Sequence, residues 1–196
     1  TVLMPFGGKT QLTPAQAMSA KIPVLGGETD TASIMSWGFD PYEMEANPFV
    51  GAQESVISAL AKIVAAGGSA KHAWMSFQEY FGHMYTDPNR WGLPLGALLG
   101  ALKAQVELET AAIGGKDSMS GTFENIDVPP TLVAFAVSTA KASKVVSPEW
   151  KKAGNTVYVV KPDYDCHGQP DYQSVRDTFA LVEKLVAEGK AASVWT

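Results

Sequence analysis

The segment from 111 to 140 reads AAIGGKDSMSGTFENIDVPPTLVAFAVSTA, and it decides the fold. Ala111–Ile113 is a short apolar run, and Thr131–Ala140 is a longer apolar and β-branched run that follows two prolines. Both runs predict strands of a buried sheet. The glycine-rich, polar stretch between them predicts a loop that the two strands hold in place.

This predicted loop carries groups that suit a phosphate. Gly115 lets backbone N–H groups approach a ligand, Lys116 supplies a positive charge, and Ser118 supplies a neutral hydroxyl donor. Asp117 suits instead a metal ion, a ribose hydroxyl or a clamp on the lysine. On composition alone, a solvated strand-to-loop turn without any ligand explains the stretch equally well.

The residues before this segment predict two helices that pack beside each other. Asn47-Pro48 begins the first, and the pair Gly67-Gly68 ends it. Pro94 begins the second helix. Its predicted core face consists of apolar residues spaced three and four apart, namely Leu95, Leu98, Leu99, Leu102 and Val106. Nearer the start of the chain, Thr13-Pro14 predicts a short helix through Ala20, and 31–39 predicts a strand.

The chain becomes polar after Ala140, which predicts a subdomain boundary near residue 145. Beyond it, Thr156–Val160 predicts a strand. A helix whose apolar residues face the sheet then ends at Gly189, and Ala191–Thr196 predicts the start of another strand. These elements read as the opening of an α/β unit.

Composition excludes several classes of protein. The 196 residues are 46% hydrophobic and 18% charged, as expected for a packed globular domain. A net charge of −5 gives no general attraction for nucleic acid or an anionic membrane, and one cysteine excludes an internal disulfide. No apolar stretch is long enough to span a bilayer and no secretory leader is visible, so we expect a cytoplasmic location.

Three tempting motifs carry no catalytic prediction. Gly7-Gly8-Lys9-Thr10 resembles the end of a P-loop, but Leu3 stands where that motif needs glycine. Cys166-His167 lies in a polar loop instead of the tight elbow that a glutaminase nucleophile needs. His72 and His83 have no cysteine partner and are weak candidates for a metal site.

Several motifs together resemble the synthetase portion of the phosphoribosylformylglycinamidine synthase family, in its long single-chain bacterial form. The resemblance covers nearly the whole chain and rests on these segments: 4–14 (MPFGGKTQLTP), 23–30 (PVLGGETD), 64–68 (VAAGG), 114–120 (GGKDSMS) and 127–132 (DVPPTL). Chains of this family are several times longer than 196 residues. The chain therefore resembles a fragment of the second of the two synthetase halves.

The resemblance implies an α+β fold like that of aminoimidazole ribonucleotide synthetase, with a mixed sheet and helices on one face. It implies an amino-terminal subdomain at 1–145 and the incomplete opening of the next subdomain at 146–196. It implies as partners the first synthetase half and a glutaminase domain, with sheets of the two halves pairing into a barrel. A fragment lacking that partner is expected to self-associate, for example as a homodimer.

The implied activity is an ATP- and glutamine-dependent ligase of purine biosynthesis that uses Mg²⁺ to neutralise phosphates. The second half is expected to hold a nucleotide structurally, through Gln11, Lys62 and the 115–118 stretch, with no catalytic residue. At positions where relatives carry metal ligands, this chain has Gln16, Ser58 and Lys62, which are poor ligands for Mg²⁺. Glu54, one turn before Ser58, is a partial substitute, and no metal ligand is assigned.

Two other readings stay open. The piece could be a structural domain that docks against the catalytic half without binding any ligand. It could also derive from a related ATP-using enzyme such as selenophosphate synthetase, although the amino-terminal cysteine or selenocysteine loop of that family is not visible. A nucleotide titration separates ligand binding from a purely structural role.

Overall fold

The computed structural model describes the backbone at residues 6–7 and 13–196, and the side chains from residue 14 onward. Gln11 and most of the glycine-rich segment near it therefore lie outside the described residues. The strands are β1 (Phe6–Gly7), β2 (Thr13–Pro14), β3 (Ala17–Lys21), β4 (Thr31–Gly38), β5 (Trp74–Tyr80), β6 (Ala111–Ser118), β7 (Thr122–Phe123), β8 (Ile126–Asp127) and β9 (Thr131–Lys141). The helices are α1 (Pro41–Ala46), α2 (Pro48–Ala65), α3 (Pro88–Leu108) and α4 (Tyr172–Ala187).

Five strands form the main sheet, in the order β3-β4-β9-β5-β6. All neighbours are antiparallel except β5 and β6, which run parallel. The predicted mixed sheet in an α+β chain is therefore confirmed. The strands at 31–39 and 131–140 are also confirmed, with β9 at the centre of the sheet where a long apolar run belongs.

Helix α2 covers the sheet and begins where the sequence predicts. The side chain of Asn47 accepts hydrogen bonds from two backbone N–H groups of the first turn, and Pro48 occupies the first helical position. The helix ends at Ala65 with Ala66 as its C-cap, followed by Gly67 with φ of +100°. The helix approaches the sheet so closely that a Cβ placed on Gly38 would lie 2.2 Å from the backbone oxygen of Ser55.

Helix α3 packs beside α2 as predicted, but its start and its buried face were predicted wrongly. It begins at Pro88, capped by Asp87, so that Pro94 lies inside the helix. The buried residues of the helix are small, apart from one proline and one leucine: Pro94, Ala97, Gly100, Ala101, Ala104 and Leu108. The predicted leucine face is exposed; Leu98 and Leu102, for example, are 47% and 54% exposed. Small residues occupy the buried face because they let α2 and α3 approach each other closely. A Cβ on Gly100 would lie 2.1 Å from the Phe49 backbone oxygen.

The predicted helix from 13 to 20 is also wrong, because this segment forms β2 and β3. β3 pairs with β4 from Ala17 to Lys21 and forms one edge of the sheet. The proline that suggested a first helical turn ends β2 instead, a position that a short strand tolerates.

The segment after β9 adds one helix and no assigned strand. Helix α4 buries Val175 and Phe179 and ends before Gly189, whose φ is +68°. It packs mainly against α2, and not against the sheet as predicted. The strands predicted at 156–160 and 191–196 are wrong, because neither segment has a strand partner among the described residues. The proposed boundary near residue 145 stays a prediction.

The two faces of the main sheet differ. Alternate residues on one face, such as Ile34, Met75 and Ala136, are fully buried under the helices. The opposite face exposes large apolar side chains, namely Met35, Trp37, Trp74 and Val137. Their sides follow from the register, since Trp74 pairs with Val137 and Met75 with Ala136. We call the second surface the open face.

Candidate functional site

The stretch that was predicted to be a phosphate loop is part of an edge strand. Residues 114–118 continue β6, which is five residues longer than the predicted strand and, within the described part of the chain, pairs with β5 alone. Close packing of the strands explains why position 115 is a glycine, since a Cβ there would lie 2.2 Å from the backbone oxygen of Phe77. An edge position leaves one side of the strand backbone without a neighbouring strand, so the stretch remains accessible.

Lys116 lies on the open face. It pairs in register with Gln78, and its ammonium lies 4.1 Å from the ring centroid of Tyr80. A cation over an aromatic face is held electrostatically, so this lysine already has one partner within the chain. Ser118 is half-buried two residues further along the same face.

Asp117 points to the opposite side of β6, where it meets Glu79. The two residues are paired across β5 and β6, and Glu79 is only 1% exposed. Neither carboxylate oxygen of Glu79 has a conventional hydrogen-bond donor among the described residues. Burial, together with a hydrogen bond to Asp117 and its charge, raises the pKa of Glu79 from 4.5 to about 8. A protonated Glu79 would donate to Asp117, and Asp117 points away from Lys116, which lies on the other face of β6.

Sequence reasoning missed Glu79, although a signal was present. In the strand Trp74–Tyr80, strict alternation puts Glu79 on the same side as Met75 and Phe77. A carboxyl group in line with core residues is rare without a partner. That alternation becomes informative only once the neighbouring strand and the register are known.

Lys62 is also engaged within the chain. It extends from α2 to the end of β4, where its ammonium donates to the backbone oxygen of Trp37 at 2.8 Å and lies 4.8 Å from the Trp37 ring centroid. Burial lowers the pKa of Lys62. The lysine therefore joins the helical layer to the open face.

The structure keeps the two predicted lysines apart. Trp37, Phe135, Ser76 and Gly114 lie in one row across four adjacent strands. Three strand spacings correspond to roughly 14 Å. Lys62 and Lys116 therefore lie near opposite edges of the open face and do not form one compact phosphate site.

The positions implied as metal ligands do not fit Mg²⁺. Both ends of the Gln16 amide are used by Thr196: Nε2 donates to its backbone oxygen at 2.7 Å, and Oε1 accepts from its backbone N–H at 3.0 Å. Lys62 brings a positive charge and Ser58 a neutral hydroxyl. Within the described part of the chain, no group of three or more His, Cys, Asp or Glu side chains is arranged to hold a metal ion.

Glu54 borders an open cavity of about 390 Å³. The cavity is lined by Phe39, Asp40, Glu43, Glu54, Ser58 and Tyr164. Burial raises the pKa of Glu54 to about 7, although a hydrogen bond from Tyr164 at 3.3 Å opposes that shift. Three carboxyl groups make this cavity unfavourable for a phosphate, even though Ser58 is one of the positions implied by the resemblance.

No family model and no curated protein matches this sequence. Solved structures do match in fold. T. maritima PurL complexed with ADP has a TM-score of 0.67 and 16% identity, over 89% of this chain and 27% of that chain. T. maritima PurL complexed with FGAR has a TM-score of 0.66 and 18% identity, over 89% of this chain and 26% of that chain. Phosphoribosylformylglycinamidine synthase II from Thermotoga maritima has a TM-score of 0.65 and 16% identity, with 89% and 26% covered.

The chain thus spans about a quarter of the length of the structures it matches. Among the described residues, no helix combines the length and apolarity that a bilayer crossing requires. The resemblance to phosphoribosylformylglycinamidine synthase that the sequence indicates is confirmed at the level of the fold.

Proposed function

We propose that this chain is a piece of a phosphoribosylformylglycinamidine synthase, the ATP- and glutamine-dependent ligase that converts formylglycinamide ribonucleotide to its amidine. The observation that carries the proposal is the fold shared with the T. maritima synthase over 89% of the chain. The 114–120 motif (GGKDSMS), which resembles the same family, supports it.

The piece is proposed to act as the auxiliary synthetase half and not as the catalytic one. Gln16, Ser58 and Lys62 replace the oxygen-rich metal ligands implied for this position, and two of the three are bound to other parts of the chain. A divalent cation placed there would meet the Lys62 ammonium. Nucleotide bound by this half would therefore depend little on Mg²⁺.

The proposed partner is the remainder of the synthase, comprising the first synthetase half and the glutaminase domain. The open face supports this proposal because it exposes Trp37, Trp74 and Val137 together. A contiguous apolar surface of this kind is typical of a face that packs against another domain. The related sheet of the first half is the proposed covering.

The isolated chain is expected to lack amidine-forming activity, because it contains neither a glutaminase nucleophile in a suitable elbow nor a metal-binding synthetase site among its described residues. The assay is ATP- and ammonia-dependent formation of the amidine by the pure chain. ATP-dependent turnover above the uncatalysed rate would contradict the auxiliary role.

Calorimetric titration with ADP tests the nucleotide part of the proposal. Lys116→Ala should weaken ADP by about 1.5–3 kcal/mol, the range for a hydrogen bond to a charged group, and Mg²⁺ should leave the affinity unchanged. Lys152→Ala, at an exposed loop lysine, is the control. Binding that strictly requires Mg²⁺ would show that the metal positions are misaligned.

A purely structural docking domain is the second candidate. It is favoured by the internal partners of the proposed ligand groups, since Lys116 lies over Tyr80, Lys62 over Trp37, and Gln16 binds Thr196. This candidate predicts no heat of ADP binding that depends on Lys116. The same titration therefore separates the two candidates.

A further inference from the structure

A second open cavity, of about 540 Å³, lies where α4 packs near the end of β9 and the carboxyl end of α2. Its walls include Gly67, Lys141, Lys144, Ala180, Glu183 and Lys184. We call it the lysine cavity. The proposed synthase function assigns no ligand contact to it.

The end of α2 shapes this cavity. Gly67 has φ of +100°, and a Cβ there would lie 2.8 Å from the backbone oxygen of Lys144. The backbone N–H of Val146 donates to the oxygen of Ala66 at 3.1 Å. Glycine at this turn therefore lets the 142–146 segment lie against the helix end, which fixes the backbone of Lys144 at the cavity wall.

The three lysines are available for a ligand. Among the described residues, none of the ammonium groups of Lys141, Lys144 and Lys184 has a hydrogen bond, ion pair or aromatic partner. In a chain with a net charge of −5, this is a local concentration of positive charge. Such a concentration attracts anions despite the overall charge.

The acidic groups nearby are already engaged. Glu183, the one carboxylate on the cavity wall, accepts hydrogen bonds from the Ala70 N–H at 2.9 Å and the Ser69 hydroxyl at 3.3 Å. Asp30 accepts hydrogen bonds from the Ser143 N–H at 2.9 Å and from the Ser143 hydroxyl at 2.6 Å. These bonds lower the pKa of Asp30, and the positive charge of Lys141 adds to that lowering. Both carboxylates therefore have hydrogen-bond donors other than the three lysines, while the charge of Lys141 also acts on Asp30.

We propose that the lysine cavity binds an organic phosphate. Lys141, Lys144 and Lys184 would pair with the phosphate oxygens, because lysine is a flexible point charge that suits a phosphate group. The apolar part of the wall, formed by Ala180, Val186 and Ala187, would contact the organic group. The volume falls in the range of small-molecule sites, roughly 300–1,000 Å³.

This site is separate from the proposed nucleotide contact at Lys116. Lys116 pairs through Gln78 with Val133 of β9, whereas Lys141 lies eight residues further along that strand. The corresponding distance is roughly 27 Å. The two sites can therefore be tested independently, and failure of one leaves the other unaffected.

The test is a heteronuclear NMR titration of the ¹⁵N-labelled chain with ADP, adenosine and inorganic phosphate. Binding as proposed gives saturable shifts at residues 139–144 and 180–187 with ADP, weaker binding of inorganic phosphate, and none of adenosine. Saturable shifts confined to 114–118, or no saturable shift with ADP, would overturn the proposal. Equal affinity for ADP and inorganic phosphate would overturn the contact with the organic group.

Charge reversal gives the matched variants. Lys144→Glu combined with Lys184→Glu should weaken ADP at this cavity about tenfold or more, whereas Lys152→Glu, at an exposed lysine outside it, should change affinity less than about twofold. Lys116→Ala should leave the shifts at 139–144 intact. Unchanged ADP affinity in the double variant, with a native spectrum, would refute the site.

Discussion

The two faces of the five-stranded sheet are built from similarly apolar residues but have different surroundings. Met75 lies under the helices and is 1% exposed, whereas Met35, on the other side of the sheet, is 41% exposed. The covered face is completed by α2 and α3 of the same chain. The open face has no such cover among the described residues, and its apolar side chains remain accessible.

This difference separates stability from assembly. Residues on the covered face contribute to folding of the chain itself, since burying apolar area is the main favourable term in folding. Residues on the open face contribute little to the isolated chain but present a surface for association. Predictions about the two faces should therefore differ in kind as well as in size.

The largest expected effect is loss of a covered side chain. Met75→Ala should lower the free energy of unfolding by about 2–5 kcal/mol, because it leaves a cavity in a close-packed core. The matched variant is Met35→Ala, which changes the same side chain on the open face and should cost less than about 1 kcal/mol. Urea unfolding of both variants at low protein concentration measures the difference. Equal losses would mean that the open face is packed within the monomer.

The covered face also shows how far the sequence predicts this fold. The start of α2 was predicted because Asn47-Pro48 is a local signal: a side-chain cap and a proline at the first helical position. The stronger signal for α3 was Asp87-Pro88 and not Pro94. Its leucine face was misplaced because periodicity reports an apolar stripe but not which neighbour covers it.

The candidate site was less predictable because it depends on register. The motif at 114–118 identified the family resemblance, but only strand pairing reveals that Lys116 and Asp117 point to opposite faces. Glu79 acquires its partner from a strand that is more than thirty residues away in the chain. Alternation along β5 places Glu79 in line with core residues, but the identity of its partner leaves no local pattern in a single sequence.

The next prediction tests the carboxyl group on the covered face. The pKa of Glu79 is raised from 4.5 to about 8 in the folded chain, so the folded state binds an extra proton between these values. The contribution of Glu79 to the free energy of unfolding should therefore be fully present below pH 4.5. It should be lost as the pH rises through about 8. The loss is at most roughly 5 kcal/mol, at about 1.4 kcal/mol per pKa unit.

Glu79→Gln is the appropriate comparison, because the amide stays neutral and can still donate to Asp117. The wild-type chain should lose stability relative to this variant between pH 5 and pH 9, as measured by urea unfolding at each pH. The comparison also removes the contribution of Glu54, whose pKa is raised to about 7 and which is present in both chains. Parallel pH profiles would show that Glu79 does not hold this proton.

The open face should make the isolated chain self-associate, an effect we expect to be smaller than the loss of a core side chain. Trp74 is 59% exposed on this face, beside Val137 of the central strand β9, and Trp74→Lys should weaken association by about 2 kcal/mol, as for an exposed aromatic anchor. Leu102→Lys is the control, because the exposed leucines of α3, such as Leu98 and Leu102, form a second apolar surface. Sedimentation across a concentration series measures both. A larger effect of Leu102→Lys would move the interface from the sheet to the helix.

The smallest expected effect concerns Lys62, which connects the two faces. Lys62 lies on α2, and its ammonium donates to the Trp37 backbone oxygen and lies over the Trp37 ring. Lys62→Met keeps the apolar stem and removes the charge, so it should destabilise the chain by about 1 kcal/mol. Lys152→Met, at an exposed lysine, should change stability by less than about 0.5 kcal/mol. If Lys62→Met leaves the free energy of unfolding unchanged and weakens ADP binding, Lys62 is a nucleotide ligand. If the free energy of unfolding falls and ADP affinity is retained, Lys62 is a structural link between the helical layer and the open face.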